Sequence, residues 1–515
     1  MAAKISMMSN NYGIFHAVRF QDLFDGLCIV ENPTPLKNSY FIRFMLLFLL
    51  CCVVPHRNSG WGMFAFGATS PLESINIEEP AQNDNPLLVI VTPRHFVGEL
   101  QPFVEHKQKE LAVELAELET ILSENQGVDD SEKVKKFLYE AWRQRQAQYV
   151  LLIGDADVLP VRYMVLDRVT PAAFDYAFYP SDLYYGDVAK EDGSFDDWNA
   201  QKDDFHATYY GEVRGEKNKS DPINYDKIHY KPELAYGRWP VSTIEGVRIM
   251  VSKTIAFEKR IQSLSDSAFR AAFICNSGWV DNRRTMDKDA AYLPETWTVE
   301  KRYYSDDRRN DHTPPPDHGE VLRLLNDGVD LMLHSGHGGG DQWEQSLHLR
   351  DYTKIQNAHN LPVVVSIGCS TARFATLPPY EAYKDVFGVE HNGTDAGEVF
   401  DAPPPPPAIY ALGKYNMESL GKKLVAGGST GAVAYIGCNT GGQPCATTLM
   451  DGFMKSWGQS PGARLGDCWK EAVAYYYDQQ QLSTIQPDEG WYPASIFFQA
   501  MKYMLYGDPS LRLPH

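Results

Sequence analysis

Short apolar runs rich in Val, Ile and Leu recur from residue 86 onward, and most stop at a glycine or a small polar residue. They read PLLVIVT (86–92), YVLLIGD (149–155), AAFICNS (271–277), VDLMLHS (329–335), LPVVVSIGC (361–369) and GAVAYIGC (431–438). A run this short and this continuously apolar suits a strand buried on both faces, as parallel strands are. Between the runs lie stretches with helical spacing: 97–124 as one long helix, 131–146 opening on a Ser131 cap, and a helix after a Thr243 cap. Further helices are expected over 320–327, 418–426, 462–480 and 494–506. Strands alternating with helices predict an α/β fold, a mostly parallel sheet with helices on both faces in a three-layer sandwich. Residues 163–235, rich in Tyr, Asp and Gly, read as loops and hairpins. A subdomain boundary is placed near 245, giving an N-terminal part over 85–245 and a second over 246–513. The proline run DAPPPPPAIY (401–410) is an insertion loop.

A chain of 515 residues is long for one ordinary domain, so two or three packed units are expected. The formal net charge of −19 argues against nucleic acid or an anionic membrane surface as a partner. Residues 1–68 read as a leader. Its apolar core, 44–54, is too short to span a bilayer but suits a signal peptide, with Lys37 and Arg43 as the basic flank. AFGATS (65–70) offers small residues for cleavage, so the mature chain is expected to begin near Thr69. Export to an extracellular or periplasmic location follows, with membrane anchoring through the leader as the variant and no stable insertion of the mature form. Cys28, Cys51 and Cys52 belong to the leader. The rest (Cys275, Cys369, Cys438, Cys445, Cys468) are odd in number, so at least one is free or pairs between chains.

The stretch LMLHSGHGGGDQWEQS (331–346) carries chemistry. His-Gly-Gly-Gly is an oxyanion-hole loop in many esterases, and GGSTG (427–431) supplies a G-x-S-x-G around Ser429. That motif must follow a strand and open a helix, yet here a helical stretch precedes it and an apolar run follows. The only histidine downstream of Ser429 is His515, so the esterase reading fails. Cys369 and His337 each follow an apolar run, and residues 338–368 between them leave room for one crossover. As neighbouring parallel strands the two runs would present both side chains at one sheet edge. An imidazole beside a thiol takes its proton, and the thiolate is the nucleophile. A buried structural cysteine is the plainer alternative. A zinc site from His334, His337 and Cys369 lacks the usual helical or C-x-x-C spacing.

At these residues the chain resembles the gingipain-type cysteine peptidases, relatives of the caspases and legumains. SGHGGGDQW and SIGCS carry the likeness, and YVLLIGDADVLPVRY, SDLYYGD, AYGRWPVST, ESLGKKLVAGGSTGAVAYIG and YGDPSLRL stand in the family's order over roughly 85–513. The resemblance implies a caspase-like sandwich in two subdomains and a cysteine endopeptidase acting on protein or peptide substrates through a Cys369 thioester. His337 would be the acid/base, and the Gly338 and Cys369 amides the oxyanion hole. Where family enzymes carry an acidic residue after the strand AAFICNSGW, Asn276, Ser277 and Gly278 stand instead. Asp287, with Asp289 close behind, is the candidate base of a pocket for a basic P1 side chain, and Trp343 a candidate substrate contact. No cofactor is required for the chemistry. The Asp-rich loop with Asp182, Asp187, Asp192 and Asp196 is a candidate calcium site, against the plainer reading of a solvated acidic loop. A catalytically inactive binding protein on the same fold is the rival function.

Overall fold

The structure, a computed structural model, describes residues 85–514 apart from 167–176, 201, 203–221, 265–268 and 488–491. The leader with its apolar core therefore lies outside the described residues. Among those described, no helix is long and apolar enough to cross a membrane. Residues 79–515 cluster as one unit.

Ten strands make the central sheet: β1 (Leu87–Thr92), β2 (Ala112–Glu117), β3 (Ala147–Ile153), β4 (Ala235–Trp239), β5 (Arg270–Cys275), β6 (Thr298–Tyr303), β7 (Leu331–Ser335), β8 (Val363–Ser366), β9 (Ala434–Cys438) and β10 (Tyr503–Tyr506). Their order across the sheet is β2-β1-β3-β4-β10-β9-β8-β7-β5-β6. All neighbours are parallel except β9 and β10, which pair antiparallel. The sheet is thus two parallel blocks running in opposite directions and joined at one seam. Alternate residues of the strands feed two separate apolar clusters. Val89 and Val91 pack with helices Asp130–Arg145, Thr447–Gln459 and Leu465–Gln479. Leu88 and Ile90 pack on the other face with helices Val97–Lys107, Ile244–Ser263, His318–Asp327 and Leu420–Ala426. This is the three-layer α/β sandwich that the rhythm of the sequence predicts.

Two segments depart from that reading. The single helix expected over 97–124 is a helix to Lys107, the edge strand β2 and a second helix, Leu118–Glu124. AVELAE repeats two apolar residues and a glutamate, a spacing close to the helical period, and the parallel pairing with β1 makes it a half-exposed edge strand instead. The helix expected over 494–506 stops at Phe498, and Tyr503–Tyr506 is the strand β10 that closes the seam. The helix Asp130–Arg145 is capped by Asp129, two residues before the expected Ser131, and the Asp129 carboxylate accepts from the Glu132 amide. Thr243 caps its helix as expected.

The first block is pinned by a buried ion pair. Arg238 on β4 is fully buried and donates from Nε and Nη2 to Asp182 at 2.6 and 2.7 Å, and from Nη1 to the Gly154 carbonyl at 2.7 Å. Removing one partner strands the other charge in the core. Asp182→Ala should therefore lower unfolding free energy by about 3–5 kcal/mol, measured by denaturant titration.

Candidate active site

Strands β5, β7, β8 and β9 run the same way and sit side by side in register, with Ile274 and Ser366 both opposite His334. The loops that follow them therefore leave the sheet at one edge: Asn276–Gly278, Gly336–Gly340, Ile367–Ser370 and Asn439–Gln443. That edge is where an open α/β sheet presents ligand-binding groups. Ser429 precedes β9 and so lies at the opposite edge from Cys369, which disposes of the esterase motif a second time.

His337 is half-buried, and its Nε2 lies 2.8 Å from the Gly278 carbonyl oxygen. A carbonyl can only accept, so Nε2 carries a proton, and in the neutral ring the lone pair is on Nδ1. The third position of the site is thus a backbone carbonyl rather than a carboxylate. Asn276 turns inward, bonding Ser346 Oγ at 2.7 Å and the Glu344 carbonyl at 3.1 Å, and so braces the loop that carries His337. Sequence reading missed the role of Gly278, because a carbonyl has no side-chain signature.

The loops after β7 and β8 touch through their backbones. A Cβ on Gly338 would stand 2.8 Å from the Cys369 carbonyl oxygen, 3.0 Å from its nitrogen and 2.7 Å from Thr371 Cγ2. A Cβ on Gly368 would stand 3.2 Å from Gly338 Cα. Among the described residues the Cys369 amide donates to no protein acceptor, whereas the next amide, Ser370, donates to the Thr440 carbonyl at 2.7 Å. Ser370 has φ 58°, a left-handed conformation that holds the turn after the thiol. The Cys369 sulfur is met by the Gly442 amide at 3.2 Å.

Other expected residues land elsewhere. Trp343 is 1% exposed, stacks flat on His334 with ring centroids 4.4 Å apart, and donates to Tyr435 Oη at 3.0 Å. It is a core brace under the histidine loop, with no surface to offer a substrate. His334 is buried and bonds Ser366 Oγ, and burial holds its pKa down to about 3. Its ring is neutral and locked between these partners, and no zinc cluster with His337 and Cys369 forms among the described residues. Asp287 gives one oxygen to Lys301 at 2.6 Å and the other to Arg309 at 2.7 Å, so its charge is already matched.

The four aspartates of the acidic loop do not converge on one cation. Asp182 is committed to Arg238, and Asp192 closes its own turn onto the Ser194 amide and hydroxyl. Asp187 accepts from Trp198 Nε1 and the Tyr230 amide, while Asp196 pairs with Lys190 at 3.2 Å. The residues that do bring ligand atoms together are Asp187, His229 and Glu233. This set joins an imidazole to two carboxylates with the buried Lys135 beside them, whereas calcium sites use oxygen ligands.

Two measurements follow. Gly338→Ala should cost roughly 1–3 kcal/mol of stability, because its methyl overlaps the Cys369 backbone, which must shift; thermal unfolding reads the loss. Asp289 is fully buried, and burial together with the neighbouring Asp451 carboxylate pushes its pKa up to about 8. Its unfolded value is near ~4. A raised carboxyl keeps its proton in the folded chain and releases it on unfolding, so stability falls as pH rises through that interval. Asp289→Asn should gain Tm relative to wild type as the pH is raised from 5 to 8.

No curated protein matches the sequence. Among solved structures, the fold is similar to the Arg-specific cysteine proteinase gingipain R (RgpB), with TM-score 0.54 and 15% identity over 84% of this chain and 79% of that one. It is also similar to the complex of RgpB pro- and mature domains from Porphyromonas gingivalis, with TM-score 0.53 and 16% identity over 83% of this chain and 79% of that one. At such identities the likeness shows the caspase-like gingipain fold alone. The sequence profile of Peptidase family C25 matches residues 81–514, and the chain belongs to that family.

Proposed function

We propose that the chain is a cysteine endopeptidase with Cys369 as nucleophile and His337 as general acid and base. The observation that carries this reading is the His337 Nε2 bond to the Gly278 carbonyl, which leaves Nδ1 as the ring's basic atom on the loop that abuts Cys369. In the proposed cycle Nδ1 takes the thiol proton as Sγ attacks the scissile carbonyl carbon. The oxyanion is held by the free Cys369 amide and by the Gly338 amide. The imidazolium then protonates the leaving amine, the carbon–nitrogen bond breaks, and a thioester remains. Water, deprotonated by Nδ1, releases the acid and restores the thiol. Substrates are proteins or peptides, and the signal-peptide-like segment 44–54 supports export of the chain.

A fluorogenic peptide library on purified protein tests the reading. Cys369→Ala should abolish cleavage, and His337→Ala should lower kcat/KM by roughly a hundred-fold or more. Ser429→Ala should leave the rate unchanged. Burial pushes Cys275, Cys438 and Cys468 up to about 12, and Cys445 is also buried, so iodoacetamide should label Cys369 first among the five cysteines of the described fold. Activity that survives Cys369→Ala overturns the assignment. No cleavage by the intact chain, with Cys369 still preferentially alkylated, favours the rival binding protein.

A further inference from the structure

The seam between the two blocks of the sheet carries a residue to the active-site edge that no motif marks. Because β10 runs antiparallel to β9, its first residues lie where β9 ends. Tyr503 is opposite Cys438, and the Lys502 carbonyl accepts from the Asn439 amide at 2.8 Å. Lys502 is 5% exposed, and its ammonium lies in the field of Cys369, Cys438 and Cys445, with the Tyr179 ring 4.8 Å away. Among the described residues no carboxylate or other hydrogen-bond acceptor meets it. An unpaired buried ammonium is costly, and burial here pulls its pKa down.

Two more donors without acceptors surround the same loop. Gln499 is fully buried. Its Oε1 accepts from the Gln443 amide at 3.0 Å, which leaves Nε2 with no partner. Tyr503 is 1% exposed, and its hydroxyl also has no partner. Gly442 ties these groups to the thiol: a Cβ there would stand 3.8 Å from Cys369 Sγ and 3.9 Å from Tyr503 Oη. Among the described residues, an ammonium with no carboxylate beside it, and an amide N–H and a phenol without acceptors, flank the loop Asn439–Gln443 that rests on the thiol, a set that a carboxylate would complete.

We propose that Lys502, with Gln499 and Tyr503, forms the pocket for the residue before the scissile bond and selects an acidic side chain, Asp or Glu. This rests on the peptidase reading above. It also gives the peptidase the opposite preference from the basic one that Asp287 suggested, whose carboxylate is spent on Lys301 and Arg309. The loop Asn439–Gln443, which rests on Sγ through Gly442, must lift for the side chain to enter.

Matched substrates differing only at that residue, Asp against Asn and Glu against Gln, test the pocket with the full chain. The acidic member of each pair should have kcat/KM roughly ten-fold or more above its neutral isostere. Lys502→Gln should bring the ratio close to one, and Lys502→Arg should keep it. A wild-type ratio near one, or cleavage confined to sites after Arg or Lys, overturns the proposal. So does an equal loss on all four substrates in Lys502→Gln, which would mean the lysine acts through the thiol instead. A binding arm separates this failure from failure of the peptidase reading. Full-length Cys369→Ala is titrated calorimetrically with peptides ending in Asp or Asn. Tighter binding of the Asp peptide, lost on adding Lys502→Gln, supports the pocket even where no peptide is cut. Equal binding of the two peptides, or none, overturns it.

Discussion

The loop after β7 lies so close against the loop after β8 that a side chain on Gly338 would have to displace the Cys369 backbone, since its Cβ would stand 2.8 Å from the Cys369 carbonyl oxygen and 3.0 Å from its nitrogen. That contact holds the histidine loop and the cysteine loop together without any side-chain bond between them. It follows from two conditions. The strands must be adjacent and parallel, so that both loops emerge together, and the loops must be glycine where they meet. The remaining features of the edge adjust to it: Asn276 and Trp343 brace the histidine loop from below, and Gly278 fixes the imidazole from the side.

The sheet's one antiparallel pairing has a different consequence. In a wholly parallel sheet the beginning of β10 would lie at the far edge from Cys369. Reversal at the seam brings Lys502, Tyr503 and the preceding Gln499 to the edge where β9 ends. Buried charge is handled in two ways in this molecule. Arg238 has a carboxylate that takes two of its N–H groups. Lys502 has the Tyr179 ring 4.8 Å from its ammonium and, among the described residues, no carboxylate bonded to it.

Much of this was legible in the sequence where a physical pattern was unambiguous. Runs such as LPVVVSIGC form strands here, because their β-branched residues suit a pleated, doubly covered surface. AVELAE and the segment around Tyr503 were misread because local pattern does not separate an edge strand, or a strand after a turn of helix, from helix. The acidic loop misled for another reason. Composition counts carboxylates, but whether Asp182 faces a cation from solvent or Arg238 from β4 depends on residues remote in the chain. Trp343 likewise looked like a contact for substrate and is a wall of the core.

Residue types and their order establish the α/β class, a Gly-His-Gly turn and a Gly-Cys turn after successive apolar runs, and a helix-before-strand order around Ser429 that is the reverse of an esterase elbow. Each of these depends on residue types and order within one strand–loop unit, where nearest-neighbour sterics and hydrophobic periodicity dominate. Packing across the whole sheet sets which strand lies beside which, and therefore that a carbonyl at Gly278 rather than a carboxylate meets His337. It also decided that Asp287 is neutralised while Lys502 is not. Such outcomes depend on distances between groups that chain order leaves unspecified, and an electrostatic or hydrogen-bonding partner is defined by distance alone.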